Sequence, residues 1–229
     1  MTAPAPEPIA LNWSGGKDSA LALAALRADP SVRVVALLTN VVAGDERVSV
    51  HGVRRALVRA QASAAGLPLV EVMLPAQPSN AAYEAAFADG AARVRQAHPG
   101  VRRIAFGDLF LADIRAYREQ LVAQVGMEAA FPLWGLDTRR LAERFIADGF
   151  RAHLVCVDTT QLDASFAGRA FDAALLADLP VGVDPCGENG EFHTFVHAGP
   201  VFDREIGVRP GRVTVPDGRF AYSDLLPPE

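Results

Sequence analysis

The chain has 229 residues, half of them apolar and 21% charged, with a formal net charge of −5. That length suits one large domain or a domain with a smaller companion, and the apolar content excludes global disorder. Mild acidity argues against a protein held to nucleic acid by bulk charge, no run of about 18 apolar residues offers a membrane span, and two cysteines make no disulfide framework.

Met1 to Pro8 is a short Ala/Pro/Glu lead without secretory character, so a cytoplasmic location with both thiols free is expected. Ile9 to Trp13 is an apolar run that leads into a glycine-rich loop. Asp18 to Ala28 reads as a well-buried helix, and Val32 to Thr39 as a strand covered on both faces. Residues 51–65 read as a helix closed by Gly66, and Leu67 to Leu74 as a strand. Asn80 to Ala97 is helical with Ser79 as its N-cap, and Ile104 to Phe106 is a strand ending at Gly107-Asp108. This β-α-β-α-β-α-β order is the mark of a doubly wound parallel sheet, an α/β Rossmann-like fold. Asp113 to Val125 then presents Ile114, Tyr117, Leu121 and Val125 inward. Asp137 caps a helix running to Asp148, and His153 to Val157 is a further strand. Segment 162–180 is partly helical, and turns and short strands dominate beyond it. We expect a nucleotide-binding domain over 1–128 and a smaller C-terminal α+β substrate domain over 129–229.

The basic residues divide into 21 Arg and a single Lys, Lys17, inside Ser14-Gly15-Gly16-Lys17-Asp18-Ser19. This loop joins a buried strand to a helix, the place where parallel sheets bind ligands. Its glycines let backbone approach a ligand, and the helix N-terminus favours phosphate. Leu11 stands where a Walker A loop needs its first Gly, and Asp18 where it needs Ser or Thr. The segment instead resembles the PP-loop of ATP pyrophosphatases, Ser-Gly-Gly-x-Asp-Ser. That resemblance implies Mg2+-ATP as cofactor and cleavage between the α and β phosphates, with AMP chemistry.

A second cluster, Asp184-Pro185-Cys186-Gly187-Glu188-Asn189-Gly190-Glu191-Phe192-His193-Thr194, gathers two carboxylates, a thiol and an imidazole around two glycines. It is either a site for proton transfer, a metal or a cation, or a polar turn before a strand. The spacing of Cys186, His193 and His197 fits no common structural zinc pattern.

Together these segments resemble the diphthine–ammonia ligase (diphthamide synthase) family, in its short archaeal and bacterial form. Phe106-Gly107-Asp108 with Arg115 and Glu119, Pro132-Leu133-Trp134 with Asp137, and Gly149-Phe150-Arg151-Ala152 agree with the family in the same order. Ser165 to Arg169 agrees only in part. The resemblance implies an adenine nucleotide alpha hydrolase-like fold and an ATP-dependent ligase that adenylates a carboxylate and transfers ammonia. Its ligands would be ATP, ammonia and an unidentified carboxylate, free or protein-borne, with a homodimer as one option for its assembly.

On that basis Ser14, Gly15, Gly16, Lys17, Asp18 and Ser19 are expected to cradle ATP, with Thr39 and Asn40 at its adenine or ribose and Asp18 sharing in Mg2+ binding. Asp108, Glu188, Glu191 and His193 are the expected catalytic groups. Gly107, Arg115, Glu119, Gly187 and Thr194 are expected to meet substrate, although Arg115 and Glu119, one turn apart, equally suit a surface ion pair. His51 either approaches the nucleotide or sits exposed at a helix start. Trp134 is read as core in preference to a stacking wall. Other PP-loop chemistry on tRNA or a cofactor, and a non-catalytic ATP sensor, are the rival readings.

Overall fold

The computed structural model describes residues 4–44, 46–48 and 51–227, so the first residues of the lead and the last two of the tail lie outside the described residues. Sheet A is built by β1 (Glu7–Asn12), β2 (Val32–Val42), β3 (Arg47–Val48), β4 (Leu69–Leu74), β5 (Arg103–Ala105) and β6 (Glu128–Ala130). Its parallel strands run in the order β4-β2-β1-β5-β6. The order reverses at β1, which opens a crevice at the carboxyl ends of β1 and β5. Alternation along the strands assigns the two faces. Ile9 and Leu11 pack with α1 (Lys17–Ala28) and α2 (Arg55–Ala64), while Ala10 packs with α3 (Asn80–Ala97) and α4 (Ala112–Gln124).

β2 is longer than its sequence pattern suggests. Residues 32–38 pair with β1, and Val41 and Val42 continue past the end of β1 to pair with the antiparallel β3. The expected helix at 51 therefore starts at Arg55. Gly52 takes a left-handed φ of +65° instead, and a Cβ there would meet the Tyr222 ring at 2.8 Å. β6 is the last strand of sheet A, so that sheet ends at Ala130.

After α5 (Thr138–Ala147), capped by the Asp137 side chain, comes a four-stranded sheet B. It comprises β7 (Arg151–Asp158), β8 (Phe192–Ala198), β9 (Arg209–Thr214) and β10 (Phe220–Leu226), all antiparallel in the order β8-β7-β10-β9. A short α6 (Ala173–Asp178) precedes β8. The result is a mixed α/β fold: a mostly parallel Rossmann-like domain with a smaller C-terminal domain. One apolar cluster runs from sheet A through α1 and α2 into sheet B, so α1 and α2 form a layer shared by both sheets. That shared layer presses the β8 region against the loop before α1.

Candidate functional site

A cavity of about 550 Å³ opens at the carboxyl end of β1. Its first wall is the loop at 14–19. Gly15 has φ +83°, and any Cβ there would collide with the Gln61 side chain at 2.7 Å. The Gly16 amide donates to Ser14 Oγ (3.2 Å), and the Ser19 hydroxyl donates to the Gly16 carbonyl (2.8 Å). Gly16 is the N-cap of α1 and has no side chain to cap it, and Lys17, Asp18 and Ser19 of the first turn line the cavity. Lys17 is 2% exposed, and its Nζ donates to both Asp18 carboxylate oxygens, at 2.7 and 2.8 Å. Burial works against its charge, but the Asp18 carboxylate and others beyond it outweigh burial and hold its pKa above the usual lysine value. Gly107 lets the end of β5 pass close by: a Cβ there would stand 2.9 Å from the Asp18 carbonyl carbon.

The opposite wall comes from the 184–194 segment and β8. Thr194 Oγ1 accepts from the Lys17 amide at 3.0 Å, and the Val196 amide donates to the Gly15 carbonyl at 2.9 Å. The left-handed Gly187 (φ +67°) brings Glu188 into the cavity, where its Oε1 accepts from the Leu109 amide at 2.7 Å. Burial, helped by the nearby Asp18 and Asp108 carboxylates, pushes Glu188 up to about 7 despite that hydrogen bond. His193 lies with its ring 4.6 Å from the ring of His51, whose Nδ1 is 3.3 Å from the Thr194 carbonyl. Burial lowers His51 to about 4 and His193 to about 3, so both imidazoles are neutral at pH 7.

Glu191 differs from Glu188. It is 2% exposed and does not line the cavity. Its Oε1 accepts from the Asp184 amide (2.9 Å) and the Asn189 side chain (3.1 Å), so it ties the loop from beneath. Asp184 in turn accepts from the Glu188 amide at 2.9 Å. Cys186 is buried, with its thiol on the Thr138 carbonyl at 3.2 Å, and burial lifts its pKa to about 12, which keeps it protonated.

The third wall belongs to α3, α4 and the end of β5. Asn80, Tyr83, Asp108, Leu111, Ile114, Tyr117 and Arg118 line it. Arg118 donates to the Tyr83 hydroxyl at 3.1 Å, lies 5.1 Å from the Phe106 ring centre, and stands 3.8 Å from the Asp108 carboxylate. Burial raises the pKa of Asp108, against the opposing pull of Arg118.

Several expectations are corrected by this geometry. Arg115 and Glu119 do not line the cavity; they pair with each other at 2.8 Å, 38% and 50% exposed. Trp134 is half-buried, not core, and stacks with Arg115 (4.7 Å) beside Phe131. Thr39 is buried with its hydroxyl unpartnered, because alternation along β2 turns Asn40, and not Thr39, toward the cavity. His51 is in the cavity, not at an exposed helix start. Ser14, Lys17, Asp18, Ser19, Asn40, Gly107, Asp108, Gly187, Glu188, His193 and Thr194 all line the cavity.

The comparisons now bear on this arrangement. Residues 8–129 match the diphthamide synthase N-terminal domain, and residues 137–218 match the diphthamide synthase C-terminal domain. The chain belongs to the diphthamide synthase family. A relative from Schizosaccharomyces pombe, a diphthine–ammonia ligase, is 26% identical over 118 residues. The match takes in 50% of this chain but only 20% of that protein.

Two residues of this family member carry structure that the motifs do not show. Gln61, 0% exposed, accepts from the Trp13 indole (3.0 Å) and donates to the Gly15 (2.9 Å) and Val196 (2.6 Å) carbonyls. It binds α2, the glycine loop and β8 at one point. Arg118 is the other. Each has a signal in hindsight: a polar side chain on an apolar stripe, Gln61 beside Leu57 and Val58, Arg118 between Ile114 and Leu121.

Proposed function

We propose that the protein is an ATP-dependent ligase that joins ammonia to a carboxylate, making an amide with release of AMP and pyrophosphate. The observation that carries this reading is the meeting, in one cavity, of the first turn of α1, with the Lys17–Asp18 pair, and the part-buried Glu188 carboxylate from the facing wall. The loop fits a polyphosphate: Gly15 and Gly16 let it pack tightly under Gln61 and Thr194, the α1 N-terminus favours anions, and Lys17 stays charged. ATP bound there would supply an adenylyl group that turns a carboxylate oxygen into a leaving group. Asp18 and Asp108 line the same cavity and would hold the Mg2+ that accompanies the nucleotide. Among the described residues no group of three or more His, Cys, Asp and Glu side chains is arranged to hold a metal by itself.

The rest of the chemistry falls to the facing wall. Ammonium must lose a proton before its nitrogen can attack. Glu188, with a pKa near 7, can hold ammonium as an anion and take that proton. His193 and His51 stay neutral, so they accept hydrogen bonds from ammonia without repelling its cationic form. Lys17 and the first turn of α1 are the groups that would stabilise charge developing on phosphate. Among the described residues no helix is long and apolar enough to cross a bilayer.

The test is incubation with ATP, Mg2+, ammonium and a panel of organic acids. AMP and pyrophosphate are expected for the right acid. ADP and phosphate would overturn adenylation, and ATP binding without turnover for any acid would favour a sensor.

A further inference from the structure

The cavity is lined by two permanent cations, Lys17 and Arg118, and they are not equivalent. Lys17 is engaged by both oxygens of Asp18. Arg118 comes from the other helical layer of sheet A, on α4, and its Nε is buried with no hydrogen-bond partner. We propose that Arg118, together with the phenols of Tyr83 and Tyr117, forms a subsite for the carboxylate of an organic acid. The proposal deepens the ligase reading and rests on it for the fate of that acid.

The geometry favours this ligand class for four reasons. A buried guanidinium N–H without a partner is costly; Nε faces Asp108 at 3.8 Å without a hydrogen bond, so a small turn of the guanidinium toward a bound oxyanion would satisfy it. The fork is already oriented, because one terminal N–H donates to the Tyr83 hydroxyl and the plane rests on Phe106. A planar carboxylate can meet two of its parallel donors. The Asp108 carboxylate, at 3.8 Å, is too distant to occupy the fork by hydrogen bonding, yet it offsets part of the positive charge. That favours a monoanion over a phosphate, which the opposite wall serves. Finally, Leu111 and Ile114 complete this wall with apolar surface, which suits the stem of an organic acid. The Tyr83 and Tyr117 rings, 6.4 Å apart, flank the same space.

The experiment uses the full chain and two probes, acetate and ATP. The Arg118 Nε–H resonance is followed by NMR during titration with acetate, first alone and then with ATP present. A saturable shift with acetate, persisting when ATP is bound, is expected. Calorimetry should show acetate affinity about 10- to 100-fold weaker in Arg118→Gln, with ATP affinity unchanged. Arg118→Lys, which keeps the stem and the charge but not the fork, should lose less. No acetate shift at Arg118, or a shift produced by ATP and not by acetate, overturns the subsite. The ligase reading fails separately. If acetate binds at Arg118 but no acid yields AMP, the subsite stands without the reaction. If AMP forms and Arg118→Gln keeps the wild-type KM for the acid, the reaction stands without the subsite.

Discussion

The loop at 14–19 offers the cavity a helix end and one fixed cation, whereas the segment at 184–194 offers side chains whose charge depends on burial. Gly15 and Gly16 keep their form at any pH, and Lys17 is held charged by Asp18. Across the cavity, Glu188, His51 and His193 are all shifted toward their neutral forms by the same burial. One wall is therefore fixed in its charge and the other is a titrating surface. The two glutamates three residues apart show how finely that second wall is sorted. Gly187 turns Glu188 into the cavity, while Glu191 is committed to the Asp184 amide beneath the loop.

This contrast predicts different failures on the two sides. Glu188→Gln removes the titrating carboxylate and should lower kcat by about 100- to 10,000-fold with the fold intact. In the proposed reaction the ionised form of Glu188 is the base, so the wild-type rate should climb as pH rises through about 7 and level off above it. A Glu188→Gln enzyme that keeps this limb would assign it to another group. Lys17→Ala should cost about 100- to 1,000-fold with no such change in pH profile, and Lys17→Arg should also be impaired. A guanidinium is too broad for the space that a compact ammonium fills between Asp18 and the Phe192 ring, 5.9 Å away. Wild-type turnover in either variant would remove Lys17 from phosphate binding.

The joint between the walls should break differently again. Gln61→Leu leaves the Trp13 indole and the Gly15 and Val196 carbonyls without their partner. With buried orphan groups at about 1–3 kcal/mol each, the loss should be roughly 3 kcal/mol or more. That corresponds to a fall of about 6 °C or more in Tm. Gln61→Glu keeps the shape but turns donors into acceptors facing two carbonyls, so it should fare no better. Acid tests the histidines. Their folded pKa values, about 4 and about 3, lie below the 6.5 expected when unfolded. The unfolded chain binds more protons in that window. The contribution of these two rings to stability is therefore full above about 6.5 and is lost as pH drops toward 4, by at most about 1.4 kcal/mol per pH unit for each ring, while Glu188, raised to about 7, works in the opposite direction. His193→Gln should flatten that slope in pH-dependent melting; an unchanged slope would place the proton uptake elsewhere.

How much of this was readable from the sequence depends on distance along the chain. The β-α alternation and the caps at Ser79 and Asp137 were legible, because apolar periodicity and capping are local. β6 is three residues long and β3 two, too short for any period, and only pairing defines them. The same holds for the site. Ser14 to Ser19 was legible because loop, strand and helix are contiguous. Tyr83 and Arg118 meet across 35 positions, and Trp13 and Gln61 across 48, with no motif to join them. The motif on α4 pointed to Arg115, but one helical turn carries two arginines with opposite fates.

That pair supplies the smallest expected effect and the cleanest contrast with Arg118. Arg115 rests on the exposed edge of Phe131 and Trp134 and pairs with Glu119 in the i,i+4 arrangement. Such exposed pairs contribute about 0.3–0.5 kcal/mol, and stacking on the rings adds about 0.5–1 kcal/mol. Arg115→Ala should therefore lower Tm by only a few degrees and leave the KM values for ATP and acid unchanged. Glu119→Gln should cost less still, since the stack survives it. The measurement is a side-by-side titration of Arg115→Ala and Arg118→Gln. A raised KM for acid in Arg115→Ala would extend the binding surface outward over Trp134, onto the exposed Phe110 and Leu136 nearby. Equal KM values in Arg115→Ala and the wild type would confine recognition to the α4 face that carries Ile114, Tyr117 and Arg118.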